Sequence, residues 1–201
     1  MYKMNDPVYQ KIYNQKLLSN LTRRFGPFRQ HHVDLFVSTE GLLTLMGKMK
    51  KKSRRGEVVM VVPNAAGEIW LHTKAFYPAG TYRLMSGGLE GAERPDRAFA
   101  RELAEETGFK TKIDRCLAVI TYTLSNPEVA LPFVSYTFLT APIDGYPQPT
   151  DPNEAITDFR AVPVDELAEV ARQLRSLSGE FAGWGDFRAV AHEVVWEELQ
   201  A

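Results

Sequence analysis

Between Gly87 and Phe109 the chain carries a spaced pattern that few backbones satisfy. It reads Gly87, five residues, Glu93, seven residues, Arg101-Glu102-Leu103, one residue, Glu105-Glu106, one residue, Gly108-Phe109. The seven glycine, glutamate and arginine positions alone are expected by chance in this register in fewer than about one window in 10^7. Pro95 suits the first helical position, where its missing N–H costs nothing, and Gly108 suits the position just past a helix end. The spacing therefore predicts a helix over 95–107, preceded by a glycine loop.

Within that helix Phe99 and Leu103 are four apart and form an apolar stripe for docking on a sheet. Glu102, Glu105 and Glu106 stand at i, i+3 and i+4, so their carboxylates crowd together and repel unless a cation lies among them. Hard oxygen ligands gathered in this way suit Mg²⁺ or Mn²⁺, which bind through a few carboxylates together with phosphate oxygens. Arg101 and Glu93 read as a supporting ion pair that fixes the loop against the helix. Ser86-Gly87-Gly88 supplies low-bulk backbone that can approach a metal or phosphate closely.

Around this segment the pattern is that of an α/β protein with a mixed sheet. Val58 to Val62 and Glu68 to Thr73 flank Asn64-Ala65-Ala66-Gly67 and read as a hairpin. Further strands are expected at Tyr82–Met85, Cys116–Thr123, Phe133–Leu139 and Asp158–Val162. Helices are expected over 165–177 and 186–199, where apolar residues recur at helical spacing. Residues 7–25 read as one amphipathic helix ended by Gly26-Pro27, whose apolar face serves either packing on the sheet or contacts in a homodimer. After a mixed stretch around Val33 to Val37, Ser38 caps a second helix containing Leu42, Leu43, Leu45, Met46 and Met49, although Gly41 weakens it. We thus divide the chain into a helical extension over 1–55 and a catalytic domain over 56–201. Lys48, Lys50, Lys51, Lys52, Arg54 and Arg55 form a basic run at the join, either a solvated helix end or a clamp for polyphosphate or RNA.

With 201 residues and 44% hydrophobic content the chain can bury a sizeable core. A net charge of -1 provides no global basic field, which argues against nucleic acid as the general partner. Cys116 is the only cysteine, so an internal disulfide is excluded and a reducing compartment is expected. Met1 to Asp6 lack the apolar core of a signal peptide, and no apolar run reaches membrane-spanning length. A soluble, cytoplasmic protein is the expectation. His31, His32, His72 and His192 show no metal-ligand spacing, and neither a P-loop nor a Ser-His-Asp pattern is present.

The segment Gly87 to Phe109 matches each fixed position of the Nudix box and resembles that of a Nudix hydrolase. The resemblance extends loosely from about residue 57 to 175, through Gly80-Thr81-Tyr82-Arg83-Leu84 before the box and Asp158-Phe159-Arg160-Ala161-Val162-Pro163 after it. It implies an α/β/α sandwich and a metal-dependent pyrophosphohydrolase. By the same resemblance, Glu102 and Glu106 are implied as metal ligands and Glu105 as a further ligand or as the base that deprotonates the attacking water. The carbonyl of Ser86 is implied as another ligand, although Met85-Ser86 stands where many relatives have a proline and an extra glycine. An acidic residue from outside the box is implied as well, with Glu154 first choice, then Asp158 and Glu128.

The implied substrate is a nucleoside diphosphate linked to another group: a nucleotide sugar, an ADP-ribose-like molecule or a nucleoside triphosphate. Selectivity then comes from loops outside the box. Lys74, Arg83 and the Gly87-Gly88 backbone are placed to meet phosphate, and Phe76, Tyr77, Tyr122 and Phe133 offer rings for a base. Pro127 follows the box at somewhat more than the spacing of ADP-ribose relatives. Two other readings compete: an RNA 5′-end pyrophosphohydrolase resting on the Lys48–Arg55 run, and a non-catalytic nucleotide-sensing module, which usually lacks one or more of the glutamates retained here. Isomerisation of an isoprenoid diphosphate needs a cysteine in the site, and Cys116 lies in an apolar run outside the box.

Overall fold

A computed structural model describes residues 6–200. Met1 to Asn5 and the Lys50 side chain, which belong to the N-terminal and basic-run readings above, lie outside the described residues. Seven strands form one sheet: β1 (Arg29–Phe36), β2 (Gly56–Val61), β3 (Ile69–Lys74), β4 (Arg83–Gly88), β5 (Ile113–Ser125), β6 (Ala130–Thr140) and β7 (Ile156–Val162). Their spatial order is β1-β5-β6-β2-β4-β3-β7, parallel at β1/β5 and β2/β6 and antiparallel elsewhere. The sheet is therefore mixed. Helices α1 (Pro7–Ile12), α2 (Gln15–Phe25) and α4 (Pro95–Thr107) cover one face, while α3 (Glu40–Lys51), α5 (Leu167–Arg175) and α6 (Ala182–Gln200) cover the other. This is the expected α/β/α sandwich.

The N-terminal extension is built into the sandwich. Its first amphipathic stretch breaks at Tyr13, because Asn14 accepts the Leu17 N–H and caps a new helix there. Tyr9, Ile12, Leu18 and Leu21 bury against Val58, Met60, Tyr136 and Phe138, so the apolar face packs on the sheet. The mixed stretch becomes β1, an edge strand pairing in parallel with β5 from Arg29↔Ala118 to Phe36↔Ser125. Burial alternates along β1 only between exposed and half-buried residues, and its inward set, His31, Val33 and Leu35, opens on a polar residue, which is why its sequence does not read as an apolar strand.

The turn between β2 and β3 forms as read, with the Trp70 N–H bonded to the Val62 carbonyl at 2.9 Å. Its two strands nevertheless diverge, and β4 inserts between them. β4 pairs with β2 from Met85 to Gly88 but with β3 only at Leu71↔Leu84 and His72↔Arg83. Outside these two pairs the sheet splits, β4 running on beside β2 from Met85 to Gly88 while β3 stays paired with β7. At this gap side chains take backbone groups: the Leu84 N–H donates to His192 Nε2 and its carbonyl accepts from Arg83 Nη1.

Candidate active site

Helix α4 spans the predicted residues, with Pro95 in its first turn and Gly108 in the left-handed region at φ 70°, its N–H bonded to Ala104. Ala98, Phe99 and Leu103 anchor it to the sheet, and the same face buries Glu102 and Glu106. Glu105 lies one step around the helix, with about a third of its side chain open to solvent. A Cβ on Gly87 would fall 1.8 Å from the Glu102 carboxyl carbon. The glycine therefore gives Glu102 room to lie flat across the strand.

Arg101 organises the exposed side of this cluster. Its Nη2 donates to Glu93 Oε2 at 2.9 Å and its Nε to Glu93 Oε1 at 3.3 Å, the expected forked pair. Nη1 reaches Glu102 at 2.8 Å and Glu105 at 3.1 Å, and Nη2 also holds the Gly88 carbonyl at 2.9 Å. Burial raises the Glu93 pKa, but Arg101 and the Glu90 N–H outweigh it and leave that carboxyl below its usual range. At Glu102 burial prevails over Arg101, and the pKa is raised.

Glu106 is organised by a second cation. Lys74 Nζ lies 3.0 Å from Glu106 Oε1 and 2.5 Å from Glu154 Oε2. Desolvation lifts the Glu106 pKa to about 7 despite the opposing charges of Lys74 and Arg83. Its other oxygen, Oε2, has no hydrogen-bond partner among the described residues. His72 Nδ1 is 3.7 Å from that oxygen, and both ring nitrogens likewise lack a hydrogen-bond partner among the described residues. Burial, then Arg83 and Lys74, depress the His72 pKa well below its ordinary value, so the ring is neutral and forms no ion pair.

The loop carrying Glu154 is fastened to the C-terminal end of α4. Gln148 donates its N–H to Thr107, and Thr150 donates to Glu105, using carbonyls that a helix end leaves unpaired. Glu154 is therefore gathered with the box. Asp158 is engaged elsewhere, by the hydroxyls of Tyr82 and Tyr146. Glu128 lies in the turn between β5 and β6, where Asn126 accepts its N–H.

Arg83, expected to meet phosphate, is buried in the gap and uses its guanidinium on Tyr77, Leu84 and Ser86. The Ser86 hydroxyl also meets Arg188 at 3.1 Å and Glu57 at 3.4 Å. Glu57 in turn pairs with Arg188 at 2.9 Å and accepts from Ser135 at 2.9 Å. Sequence reading missed Glu57 and Arg188. One signal was present, a glutamate opening an otherwise apolar strand run, since a carboxylate there must find partners inside. Tyr122 and Phe133 pack on Phe187 in the core and offer no face to a ligand. In the basic run, Arg55 pairs with Asp6 at 2.6 Å and Arg54 lies against Gly88, whereas Lys48, Lys51 and Lys52 are exposed.

Among the described residues, no three acidic, histidine or cysteine side chains converge as a ready metal cage. Two basic side chains stand among the carboxylates instead, Arg101 between Glu102 and Glu105 and Lys74 between Glu106 and Glu154. Hard oxygen donors, an orphaned buried Oε2 and internal cations already drawn between the acids all fit a site that takes positive charge. The NUDIX domain family model matches residues 53–183, box and gap included.

The chain belongs to the NUDIX domain family. Its fold resembles the MutT protein from Methanosarcina mazei Go1, at 16% identity and TM-score 0.50, over 73% of this chain and 96% of that one. An Ap4A hydrolase from C. elegans aligns at 15% identity and TM-score 0.47, over 73% of this chain and 95% of that one. An ADP-ribose pyrophosphatase from Streptococcus suis 89-1591 aligns at 13% identity and TM-score 0.45, over 73% and 92%. No curated protein matches the sequence. Likeness at these identities speaks for the NUDIX fold alone. No described helix is long and apolar enough to cross a membrane.

Proposed function

We propose that this NUDIX protein is a metal-dependent pyrophosphohydrolase that cleaves the diphosphate bond of a nucleoside diphosphate linked to another moiety. One observation carries the reading: α4 delivers Glu102 and Glu106 against the gap in the sheet, with Gly87 making room and Arg101 bracing the group through Glu93. Glu102, Glu106, Glu154 and the Ser86 carbonyl are the groups we assign to Mg²⁺ or Mn²⁺. When bound, the metal neutralises charge on phosphoryl oxygens and acidifies a water.

The chain's own residues divide the remaining work. Glu105 is the most open of the three helix glutamates, with 34% of its side chain exposed against 7% for Glu102 and 1% for Glu106. It is thus the one we assign to take a proton from the attacking water. Arg101 holds Glu105 and Glu102 in one orientation, so the proton acceptor is pre-positioned. A reducing, cytoplasmic setting is the reading supported by the single buried thiol of Cys116.

The test is hydrolysis of a panel of nucleotide sugars, ADP-ribose, dinucleoside polyphosphates and nucleoside triphosphates with Mg²⁺, following phosphate-ester products. Turnover of at least one member, lost in Glu106→Gln, is expected. No turnover of any member, together with no divalent-cation binding that depends on Glu102 and Glu106, would overturn the reading.

A further inference from the structure

A cavity of about 530 Å³ opens where the end of α2, the first half of α4 and the connection from α4 to β5 meet. Arg24 comes to it from α2, Arg94 and Arg97 from the start of α4, and Lys112 from the connection. Asp96 is the one acid among the described residues that line it. Four cations against one carboxylate leave three positive charges there, on a chain whose net charge is -1. Like charges gathered in one concave place cost free energy unless an anion lies among them.

Two of these cations are held in place. Arg24 lies over the Phe25 ring at 4.7 Å and donates from Nη1 to Asp96 Oδ2 at 2.7 Å, while Arg94 donates from Nε to Asp96 Oδ1 at 3.0 Å. Burial raises the Asp96 pKa, but Arg24 and Arg94 outweigh it and hold that carboxyl below its usual range, so it is ionised and its charge counts. Asp96 takes one N–H from each arginine, and a guanidinium carries five. Most of both forks is left for another acceptor. The Arg97 and Lys112 side chains are exposed and have no hydrogen bond or ion pair among the described residues. Phe25 and Phe99, which also line the cavity, meet Phe138 edge-on at 5.7 and 5.6 Å between centroids, so its apolar part is anchored in the core.

This cavity is separate from the carboxylate cluster. Arg97 and Glu106 are nine residues apart on α4, about two and a half helical turns, so they leave the helix on opposite sides. None of Glu102, Glu105, Glu106 and Glu154 lines the cavity. Its volume is that of a small-molecule site. Arginine forks match phosphate oxygens through paired hydrogen bonds, and the uncompensated charge calls for an anion that carries several charges itself.

We propose that this cavity binds the linked phosphates of a compact oligophosphate, with Asp96 holding Arg24 and Arg94 in place while Arg97 and Lys112 close on the anion. Under the hydrolase reading the box glutamates take phosphate through a divalent ion, whereas this second site takes it directly and needs no metal. It therefore stands independently of that reading. The N-terminal extension acquires a task as well, since α2 carries Arg24 to α4.

The experiment titrates inorganic tripolyphosphate into the full chain by calorimetry, in EDTA and about 0.15 M NaCl, which screens diffuse attraction. Without a divalent ion the carboxylate cluster repels the same probe, so binding reports the basic cavity. Wild type is compared with the double variant Arg97→Ala/Lys112→Ala and with Lys51→Ala/Lys52→Ala, which removes equal charge from the basic run. All four side chains are exposed, which keeps the fold out of the comparison. Binding at one site is expected, weakened at least about tenfold in the first variant and by less than about twofold in the second. Absence of binding to wild type, or equal or greater weakening in the Lys51→Ala/Lys52→Ala variant, overturns the proposal. A parallel titration uses a single-stranded RNA with a 5′-hydroxyl end. If RNA binds more tightly than tripolyphosphate and loses affinity in Arg97→Ala/Lys112→Ala, the cavity belongs to a polynucleotide surface and the proposal fails. None of these failures touches the hydrolase reading, whose assay contains Mg²⁺.

Discussion

The Lys74 ammonium lies 3.0 Å from the Glu106 carboxylate, both side chains being buried, and the same nitrogen reaches Glu154 at 2.5 Å. A tethered cation therefore stands where a divalent ion would compete for the same oxygens. Lys74→Met is expected to strengthen Mn²⁺ binding by about tenfold or more, because the ion no longer displaces a like charge. Without metal, the same variant leaves Glu106 buried and unpaired, and stability is expected to fall by about 3 kcal/mol. Calorimetric titration with Mn²⁺ and metal-free denaturant melts check both effects. Unchanged or weaker metal binding would refute the competition.

Neighbouring glycines of the box are expected to respond differently to the same substitution. A Cβ at Gly87 meets a buried Glu102 side chain held by Arg101, whereas a Cβ at Gly88 meets only the guanidinium end of Arg54. Gly87→Ala should lower kcat/KM by roughly 100-fold by displacing Glu102. Gly88→Ala should cost only a few-fold, since Arg54 can swing aside. Equal losses in the two variants would show that the Glu102 contact is not the reason for the glycine.

Arg101 makes two bonds to Glu93, one each to Glu102 and Glu105, and one to the Gly88 carbonyl. A lysine has a single nitrogen and cannot reproduce that fork. Arg101→Lys should therefore lower kcat by about 10- to 100-fold with little change in KM. Glu105→Gln should lower kcat by roughly 10²- to 10⁴-fold while keeping Mn²⁺ affinity near wild type, as expected of a proton acceptor. Loss of Mn²⁺ binding in Glu105→Gln would assign that residue to the metal instead.

His192 accepts the Leu84 N–H at Nε2, 2.8 Å, and donates from Nδ1 to the Arg188 carbonyl, 2.9 Å, so this geometry needs a neutral ring. Burial depresses its pKa to about 3 against an ordinary 6.5. Below pH 6.5 the unfolded chain takes up a proton that the folded chain refuses, so the stability associated with His192 is complete above that pH and declines towards pH 3. At pH 5 the loss is about 2 kcal/mol. Glu106, whose pKa is raised, works in the opposite direction between about pH 4.5 and 7, so total stability is a poor readout. The comparison is with His192→Gln, which keeps an acceptor for Leu84 and does not titrate. Its deficit at pH 7.5, roughly 1–2 kcal/mol, should shrink by about 2 kcal/mol at pH 5 in urea melts. A deficit independent of pH would mean that folded His192 takes up a proton as readily as the unfolded chain does.

Much of the architecture was legible because its signals are local. The extent of α4 follows from Pro95 and Gly108, and the core strands from runs such as Cys116 to Ile120, because caps and apolar periodicity act within a few residues. β1 was not legible, since none of its inward residues is fully buried, one of them is His31, and its partner β5 lies far away in sequence. The hairpin reading found the turn at Asn64 but not the insertion of β4 between its strands. Register within a hairpin is local information; strand order across a sheet is not.

The candidate site divides in the same way. Helical geometry alone gathers Glu102, Glu105 and Glu106, and the spacing of Glu93 and Arg101 anticipated their fork. Sequence alone thus determined the NUDIX box, its helix and the charge of the cluster. Only the tertiary structure decided what meets those charges: Lys74 turned inward onto Glu106 and Glu154, Arg83 drawn into the gap, and Glu57 and Arg188 closed around Ser86. The physical reason is range. Periodicity and capping act over one or two turns of chain, whereas a buried charge takes whichever partner the packed layers bring within about 3 Å.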